Sequence, residues 1–459
     1  MVQSLPSEFY SDFLSATAKA RKPSPIRGLY PLEARPGMIS LLAGKPNSAT
    51  FPLTSVQIKA RSPTNPEQEL TTEIAGKALA EGLQYGPTAG LPNLCEWIFG
   101  LQEREHGRKK GEGWRVSIGS GSQDVIHKAI LALVNPGEPV LVESPVYAGI
   151  LPTFESLNCE FVVVPTDSQG IQSSNLRSTL ENWPASKPKP KVLYTVPYGG
   201  NPTGMTASKE RRQEVLALAR EHNFLILEDD PYYYLYFGSA PRPPSYFTLE
   251  LEQPEVGRVI RFDSLSKILS SGIRIGFACG PEAIMTAIDM HVSVCDFHRS
   301  THRNARLTPS QTAVANLQTS SLTQAITFAL LDSWGYDNFK AHTHAVSQFY
   351  KGKRDVFERL MKKHLDGLAQ WDTPEAGMFF WFKLLLKSPG AEGAEEEDSE
   401  SLIRTKALEK GVLALPGTVF LPDGGKTAYV RAAFSLLDEA DVEEAIKRLR
   451  EVVLEARGA

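Results

Sequence analysis

Four short polar segments of the sequence each follow an apolar run and carry side chains that can do chemistry. One is rich in glycine and serine, one in glycine and asparagine, one in acids and tyrosines, and one places a lysine among serines. Because ligands of open α/β sheets bind at the carboxyl ends of the strands, we expect the four segments to form one site. The segments are Gly119-Ser-Gly-Ser-Gln-Asp124, Pro197-Tyr-Gly-Gly-Asn-Pro-Thr-Gly204, Glu228-Asp-Asp-Pro-Tyr-Tyr-Tyr234 and Asp263-Ser-Leu-Ser-Lys267.

These segments suit the parts of a phosphorylated aldehyde cofactor. The segment after Gly119 opens a helical pattern, whose free N–H groups and positive dipole end can bind an anion. Adjacent acids at Asp229 and Asp230 are costly at a strand end unless a cation meets one of them. Lys267, with Arg274 seven positions later, has the pattern of a reactive amine beside a phosphate site. Pyridoxal phosphate supplies the phosphate, a charged ring nitrogen for the acid and an aldehyde that lysine can capture.

Taken singly, each segment also has a purely structural interpretation. Ser122 can simply cap a helix, and a cluster of glycine, asparagine and proline such as 199–204 usually marks only a turn. The occurrence of all four segments in one chain therefore favours a ligand site, with Asp229 and Asp230 both open as the acid.

Three further residues have the spacing of metal ligands. They are Cys295, His298 and His302. With no fourth ligand nearby and arginines interleaved among them, we expect no metal. The acidic stretch 392–400 is interpreted as a solvated loop whose role is left open.

The elements that must position the segments alternate between short apolar runs and amphipathic stretches. Near-continuous apolar runs are typical of strands in a sheet that is buried on both faces. Between them, stretches such as 209–222 space their apolar residues as a helix does. The alternation predicts an α/β fold of three layers, in which helices cover a mostly parallel seven-stranded sheet. The seven runs begin at Arg115, Pro139, Cys159, Lys191, Asn223, Arg258 and Ile273.

Changes in this alternation of strands and helices along the chain predict three parts. Residues 1–60, which are rich in proline, are expected to form an N-terminal arm and part of a small domain. Residues 61–335 are expected to form the large domain that holds the cofactor. Residues 336–459 are expected to form the rest of a smaller α+β domain.

Composition and charge argue against several kinds of partner. Lys and Arg total 49 against 53 Asp and Glu, whereas a nucleic-acid binder would need a basic face. No apolar run approaches the roughly 20 residues that span a bilayer, so no membrane partner is expected. The 4 cysteines lie far apart, which is typical of a reducing compartment. We therefore expect a cytoplasmic location, since the N-terminal residues also lack the core of a signal peptide.

Together, the chemistry-bearing segments resemble those of the fold-type I pyridoxal-phosphate-dependent aminotransferases. The matching motifs, which span almost the whole chain, are Ser122-Gln123, Asn201-Pro-Thr-Gly204, Asp230-Pro-Tyr-Tyr233, Ser264-Leu-Ser-Lys267 and Arg274. More narrowly, the chain is similar to the kynurenine/2-aminoadipate aminotransferase group, which includes the fungal aromatic amino acid aminotransferases. The supporting stretches are Pro23-Ser-Pro-Ile-Arg27, Leu42-Ala-Gly-Lys-Pro-Asn47, Leu83-Gln-Tyr-Gly-Pro-Thr-Ala-Gly90, Glu375-Ala-Gly-Met-Phe379 and Tyr429-Val-Arg-Ala-Ala-Phe434.

The resemblance implies a large domain like that of aspartate aminotransferase and a role for each residue of the cofactor site. Lys267 would hold the cofactor as a Schiff base and move a proton between the substrate's α-carbon and the cofactor. Asp230 would pair with the ring nitrogen, and Tyr147 would stack on the ring. Asn201 and Tyr233 would donate to the phenolate oxygen. The residues implied to hold the phosphate are Ser122, Gln123, Ser264, Ser266 and Arg274.

The resemblance also implies how substrate and a second subunit are bound. Arg431 would clamp the substrate's α-carboxylate with two parallel hydrogen bonds, a geometry that lysine cannot reproduce. Arg27 and Gly44 would lie near the substrate side chain. Tyr85 would reach the phosphate of the neighbouring subunit, which implies a homodimer with shared sites.

The implied activity is transfer of an amino group from an aromatic amino acid, 2-aminoadipate or kynurenine to 2-oxoglutarate by a ping-pong mechanism. One alternative is another reaction of the same cofactor on this fold, as in a β-lyase or a cyclopropane-forming synthase. A second is a cofactor-sensing regulatory module, which would need an N-terminal DNA-binding domain. The chain departs from the family pattern at Tyr198, Gly200 and Lys45, all expected near the substrate pocket.

Overall fold

A computed structural model describes most of the chain, with gaps near the N-terminus and in two internal stretches. The described residues are 3–22, 29, 32–33, 35–42, 44–293, 317–387 and 398–458. Arg27, Cys295, His298 and His302 lie outside them, as does most of the acidic stretch 392–400.

The described strands and helices are numbered in chain order. The strands are β1 (Gln3–Ser4), β2 (Ser55–Arg61), β3 (Glu69–Ala75), β4 (Trp114–Gly119), β5 (Pro139–Ser144), β6 (Glu160–Asp167), β7 (Gly170–Ile171), β8 (Val192–Thr195), β9 (Leu225–Asp229), β10 (Glu255–Val256), β11 (Val259–Ser264), β12 (Gly276–Pro281), β13 (Ala369–Trp371), β14 (Phe379–Leu384), β15 (Leu415–Pro416) and β16 (Tyr429–Ala433). The helices are α1 (Ala16–Ala20), α2 (Gly76–Leu83), α3 (Pro92–His106), α4 (Ser122–Leu133), α5 (Leu151–Glu155), α6 (Ser173–Glu181), α7 (Lys209–Glu221), α8 (Tyr246–Leu249), α9 (Glu282–Ser293), α10 (Ser321–His364), α11 (Ser399–Leu402) and α12 (Glu439–Ala456). Across the described ranges, no helix is long and apolar enough to cross a membrane.

A large sheet forms the centre of the molecule, with strand order β4-β12-β11-β9-β8-β5-β6-β7. The four pairings from β11 through β9, β8 and β5 to β6 are parallel, whereas β12 runs antiparallel to both of its neighbours. All seven predicted runs form strands of this sheet, so the predicted α/β fold is confirmed. The additional strand, β7, is a two-residue segment that pairs antiparallel with the end of β6.

Burial on both faces explains why these strands have continuous apolar sequences. Val140, Leu141 and Val142 of β5 are all fully buried, although their side chains alternate between the two faces. Apolar residues of α3, α4 and α7 join the same core cluster. The carboxyl ends of β5, β8, β9 and β11 therefore come together at one edge of a rigid, covered sheet.

A second core lies beneath a smaller sheet with strand order β13-β14-β16-β15. The later part of α10 and the helix α12 supply apolar side chains to it, among them Leu360, Met361 and Ile446. Within α10, Gly335 breaks the helical conformation with φ of 66° and ψ of 176°. The α+β character predicted for the C-terminal part is present in these elements.

The first residues of the chain pack differently from the prediction. β1 pairs with β10, and Tyr10 and Phe13 lie in the core of the large sheet rather than in the smaller core. The hydroxyl of Tyr10 donates to the carbonyl of Gly257 at 3.0 Å, which fixes the segment there. Residues 3–20 thus belong with the large sheet, while the remaining domain boundaries stay predictions.

Candidate active site

A cavity of about 250 Å³ lies at the carboxyl ends of the parallel strands, where the sequence predicted a ligand site. It brings together residues from all four polar segments. One further wall residue, Phe379, comes from the smaller sheet. The lining residues are Ser122, Gln123, Tyr147, Val196, Asn201, Asp229, Pro231, Tyr232, Ser264, Ser266, Lys267, Ser271, Arg274 and Phe379.

One end of the cavity is built to bind an anion. Helix α4 begins there at Ser122, so its unpaired N–H groups and positive dipole end face the cavity. The guanidinium of Arg274 donates to the Ser120 carbonyl at 3.1 Å and lies 3.4 Å from the hydroxyl of Ser266. A Cβ on Gly276 would lie 2.2 Å from the backbone nitrogen of Ser122, so only glycine permits this close approach. The arrangement fits a phosphate group.

Lys267 lies in a short 3-10 turn directly after β11, beside this anion-binding end. Its side chain is half-buried. Burial, and then the charge of Arg274, lower the pKa of the Lys267 ammonium. The amine is consequently deprotonated more readily than an exposed lysine, as a nucleophile toward an aldehyde must be.

The acid that lines the cavity is Asp229, and not Asp230 as the resemblance implied. Successive side chains of a strand point to opposite faces, so two adjacent acids at the end of β9 cannot share one site. Asp230 points away and accepts a hydrogen bond from Nε of Arg261 at 3.0 Å, where both groups are fully buried. The expectation that Asp230 lies in the site is therefore wrong, because the acid at the cavity is the preceding residue, Asp229.

The carboxylate of Asp229 has one oxygen paired and one free to accept. Its Oδ2 accepts from the hydroxyl of Tyr194 at 2.6 Å, and its buried Oδ1 has no hydrogen-bond partner among the described residues. Burial raises the pKa of Asp229 to about 7, the Tyr194 hydrogen bond lowers it, Asp263 raises it and Arg261 lowers it. An unpaired buried acceptor of this kind fits a charged ring N–H.

The tyrosine of the site is likewise one residue earlier in the chain than the resemblance implied. Tyr232 lines the cavity, whereas Tyr233 is buried on the other side of the chain. There its ring packs against His106 at 4.8 Å and beneath the guanidinium of Arg242 at 3.7 Å. Tyr233 is thus a core residue. Tyr147, by contrast, lines the cavity as predicted.

Arg431, on β16 of the smaller sheet, lies behind the cavity wall and contacts one of the residues that line it. Its NH1 donates to Oδ1 of Asn201 at 2.9 Å, and Asn201 lines the cavity. Its guanidinium lies 4.5 Å from the ring centre of Phe379 and 5.1 Å from that of Phe420. Its Nε is buried and has no partner within the described part of the chain. The side chain is therefore held in place, and one of its donors has no partner among the described residues.

Other predicted residues lie elsewhere. Tyr85 is 55% exposed and lines a separate open groove of about 390 Å³ that contains neither lysine nor acid. Gly44 lies on an exposed segment, where an added Cβ would meet nothing within 4 Å. Lys45 on the same segment pairs with Glu33 at 3.4 Å. Tyr198 is fully buried beneath Arg212 and does not line the cavity.

The described ranges contain no group of three or more His, Cys, Asp or Glu side chains arranged to hold a metal ion. The donor set of the cavity consists instead of a lysine, a carboxylate, hydroxyls and an arginine. It fits pyridoxal phosphate, because each charged or reactive part of that cofactor meets a suitable residue. The fold and the site together define a pyridoxal-phosphate-dependent enzyme.

Comparison with known proteins gives the particular family. The model of the aminotransferase class I and II family matches residues 63–449, and the chain belongs to this family. It is 40% identical to the aminotransferase tdiD of Emericella nidulans, over 96% of this chain and 94% of the relative. It is 36% identical to the mitochondrial kynurenine/alpha-aminoadipate aminotransferase of Mus musculus, over 97% of this chain and 99% of the relative.

A solved structure extends the comparison to the bound cofactor. It is that of Pyrococcus horikoshii kynurenine aminotransferase in complex with PMP, with KYN as substrate and KYA as product. This chain is 29% identical to it, with a TM-score of 0.69, and the match covers 96% of this chain and 97% of that one. The chain is thus a pyridoxal-phosphate-dependent transaminase.

Proposed function

We propose that this transaminase takes the amino group from an aromatic amino acid, 2-aminoadipate or kynurenine and passes it to 2-oxoglutarate by a ping-pong mechanism. The names of the mouse and Pyrococcus relatives support kynurenine and 2-aminoadipate as donors. The observation that carries the proposal is that Lys267 and Asp229, which keeps one unpaired oxygen, line one cavity, while Arg431 donates to Asn201 in the cavity wall.

The cofactor supplies an aldehyde and a ring that withdraws electrons from the substrate's α-carbon. Lys267 would hold the cofactor through that aldehyde, and its free amine would carry the proton to and from the substrate's α-carbon. Asp229 takes the role that the resemblance gave to Asp230. Its unpaired Oδ1 would accept the hydrogen bond of the ring N–H and would stabilise the positive charge on the ring.

The remaining residues of the cavity hold and orient the cofactor. Asn201 and Tyr232, in place of Tyr233, would donate to its phenolate oxygen, and Tyr147 would pack against its ring. The hydroxyl, amide and guanidinium groups at the anion-binding end hold its phosphate. These groups belong to Ser122, Gln123, Ser264, Ser266 and Arg274.

Arg431 binds the substrate's α-carboxylate. The guanidinium can offer two parallel donors to a carboxylate while the rings of Phe379 and Phe420 keep its plane fixed. Arg27 and Gly44 are proposed to contact the substrate side chain, with Arg27 pairing with the distal carboxylate of 2-aminoadipate or 2-oxoglutarate.

The proposal includes a homodimer in the cytoplasm. The exposed Tyr85 would complete the phosphate site of a second copy, because an exposed tyrosine beside an open groove is available to a partner. The mouse relative is named mitochondrial, so fractionation of tagged protein between cytosol and mitochondria tests the location.

The deciding experiment is a half-reaction followed by the absorbance of the bound cofactor. Addition of kynurenine, 2-aminoadipate or tyrosine without an oxo acid should convert the aldehyde form to the amine form, and 2-oxoglutarate should restore it. Lys267→Ala should abolish the conversion, while Lys209→Ala, at an exposed ion pair with Glu252, serves as the control. An absorbance unchanged by every donor, or conversion without formation of the matching oxo acid, would refute the proposal.

A further inference from the structure

We propose that Tyr194 is a positioning residue of this enzyme, which orients the Asp229 carboxylate so that its free oxygen meets the cofactor's ring nitrogen. The inference rests on the role proposed for Asp229 above. It concerns a side chain that does not line the cavity and would act only through the carboxylate it contacts.

The contact joins two neighbouring strands of the large sheet. Tyr194 lies on β8, which pairs in parallel with β9 so that Tyr194 is opposite Leu227. Both Tyr194 and Asp229 are buried, and the 2.6 Å separation of hydroxyl and Oδ2 is that of a strong hydrogen bond to a charged acceptor. Because Oδ2 is engaged, rotation of the carboxylate would cost this hydrogen bond, so the contact leaves Oδ1 as the oxygen without a partner among the described residues.

The charges around Asp229 make the neutral Tyr194 hydroxyl important for keeping this carboxylate charged. Two acids carry the same charge as Asp229 and lie close to it: Asp263 on β11 raises the pKa of Asp229, and Asp229 in turn raises the pKa of Glu143 on β5. Arg261 on β11 is the cation that lowers the pKa of Asp229. The phenols of Tyr147 and Tyr232 also lie within its electrostatic range.

Arg261 and Glu143 already have other partners. Arg261 is bonded to Asp230 and Asp263, and Glu143 accepts from the hydroxyl of Thr195 at 2.8 Å. Among the hydrogen bonds of the described residues, the Asp229 carboxylate receives only that of Tyr194. Removal of this hydroxyl would therefore leave a buried carboxylate with no donor until the cofactor binds.

The direction of the pH effect follows from this contact. A hydrogen bond donated by Tyr194 favours the charged form of Asp229 and lowers its pKa. In Tyr194→Phe the pKa of Asp229 rises, so the carboxylate becomes charged only at higher pH. The acid limb of cofactor binding should consequently move to higher pH.

Titration of the apoenzyme with pyridoxal phosphate between pH 5 and 9 tests this directly. Tyr194→Phe should bind the cofactor several-fold more weakly, with its acid limb shifted upward, and its kcat should fall roughly 10- to 100-fold with little change in KM. Tyr10→Phe is the matched control, since Tyr10 is also buried and donates to a backbone carbonyl at 3.0 Å, remote from the cavity. Both variants lose one buried hydrogen bond, so both apoproteins should unfold at a lower temperature, and Tyr194→Phe should lose more because its lost acceptor is a carboxylate.

A double-mutant cycle separates positioning from general damage. If Tyr194 acts through Asp229, Tyr194→Phe should cost little further activity or affinity in the Asp229→Asn background. An equal loss in both backgrounds would overturn the positioning role, as would normal binding and pH dependence in Tyr194→Phe. Normal activity of Asp229→Asn itself would instead overturn the role proposed for Asp229.

A second variant covers the case in which Tyr194→Phe fails to fold. Incorporation of 3-fluorotyrosine at position 194 makes the phenol a stronger donor without changing its shape appreciably. The acid limb of cofactor binding should then move to lower pH, opposite to the shift in Tyr194→Phe. An unchanged limb would contradict the proposal.

Discussion

At the scale of single residues, the site depends on which of two adjacent acids faces the cavity. Asp229 and Asp230 have the same side chain and lie next to each other, yet their surroundings give them different tasks. Asp229 keeps an unpaired oxygen beside the cavity, while Asp230 shares the buried guanidinium of Arg261 with Asp263. Under the proposed function, Asp229 serves the chemistry, while Asp230 stabilises the buried guanidinium of Arg261.

Replacement of each acid by its amide should separate these tasks. Asp229→Asn should lower kcat more than about 100-fold, because a neutral amide no longer stabilises the charged ring, while thermal unfolding changes little. Asp230→Asn should retain most of the turnover but lose about 3 kcal/mol of stability in urea unfolding. That figure is at the low end for a broken buried pair, since Arg261 keeps Asp263. The opposite pattern of losses would return the catalytic role to Asp230.

At the scale of elements, the anion-binding end depends on contact between the backbones of β12 and α4. β12 begins at Gly276, and α4 begins at Ser122 after Gly121, whose φ is 93°. A side chain at Gly276 would push the helix start away from the strand, whereas an added Cβ on Gly121 would lie 2.1 Å from a nitrogen of Arg274 and displace that guanidinium. The two glycines thus bring helix, strand and arginine within reach of one phosphate.

Gly276→Ala should consequently damage both stability and cofactor binding. The added methyl meets backbone rather than a flexible side chain, so we expect a loss of about 1–3 kcal/mol and at least roughly tenfold weaker binding of pyridoxal phosphate. Gly272→Ala is the matched control, because its Cβ would have only Ser270 Oγ nearby, at 3.7 Å. Isothermal titration of the apoproteins measures the affinity. Equal affinities of the two variants would show that the close approach does not matter.

At the scale of the whole molecule, two separate cores meet at the cavity. The large sheet supplies most of the cavity wall, and the smaller sheet supplies Phe379 and holds Arg431 beside it. A backbone hydrogen bond from Val146 to the carbonyl of Phe420 ties the two parts together at 2.9 Å. Under the proposed function, cofactor and substrate therefore contact both parts at once.

A mixing experiment tests whether a second copy completes the site. Lys267→Ala homodimers should be inactive, and Tyr85→Ala homodimers should need more cofactor. In a heterodimer of the two variants, one site combines an intact Lys267 with an intact Tyr85 from the other chain. At limiting pyridoxal phosphate, differently tagged heterodimers should then show about half of the wild-type activity. Activity no higher than the mean of the two parents would show that Tyr85 does not serve the neighbouring site.

Much of this arrangement could be predicted from the sequence. The seven apolar runs correctly predicted seven strands of the large sheet. The polar segments that follow them correctly predicted most of the residues that line the cavity. The error at Asp230 and Tyr233 has a physical cause. Leu225, Ile226 and Leu227 of β9 are apolar on both faces, so no alternation marks which of the following residues points to the cavity. Packing of residues 3–20 on the large sheet likewise depends on long-range contacts that local patterns do not encode.

The setting of Arg431 has a consequence for the thermodynamics of substrate recognition. A mobile arginine side chain loses considerable rotational entropy when it binds a carboxylate. Here two aromatic rings and the amide oxygen of Asn201 restrain it during folding. The loss of side-chain entropy thus accompanies the folding of the enzyme and not the binding of each substrate molecule. The substrate carboxylate only has to exchange its hydrogen bonds with water for hydrogen bonds with a guanidinium that is already in place.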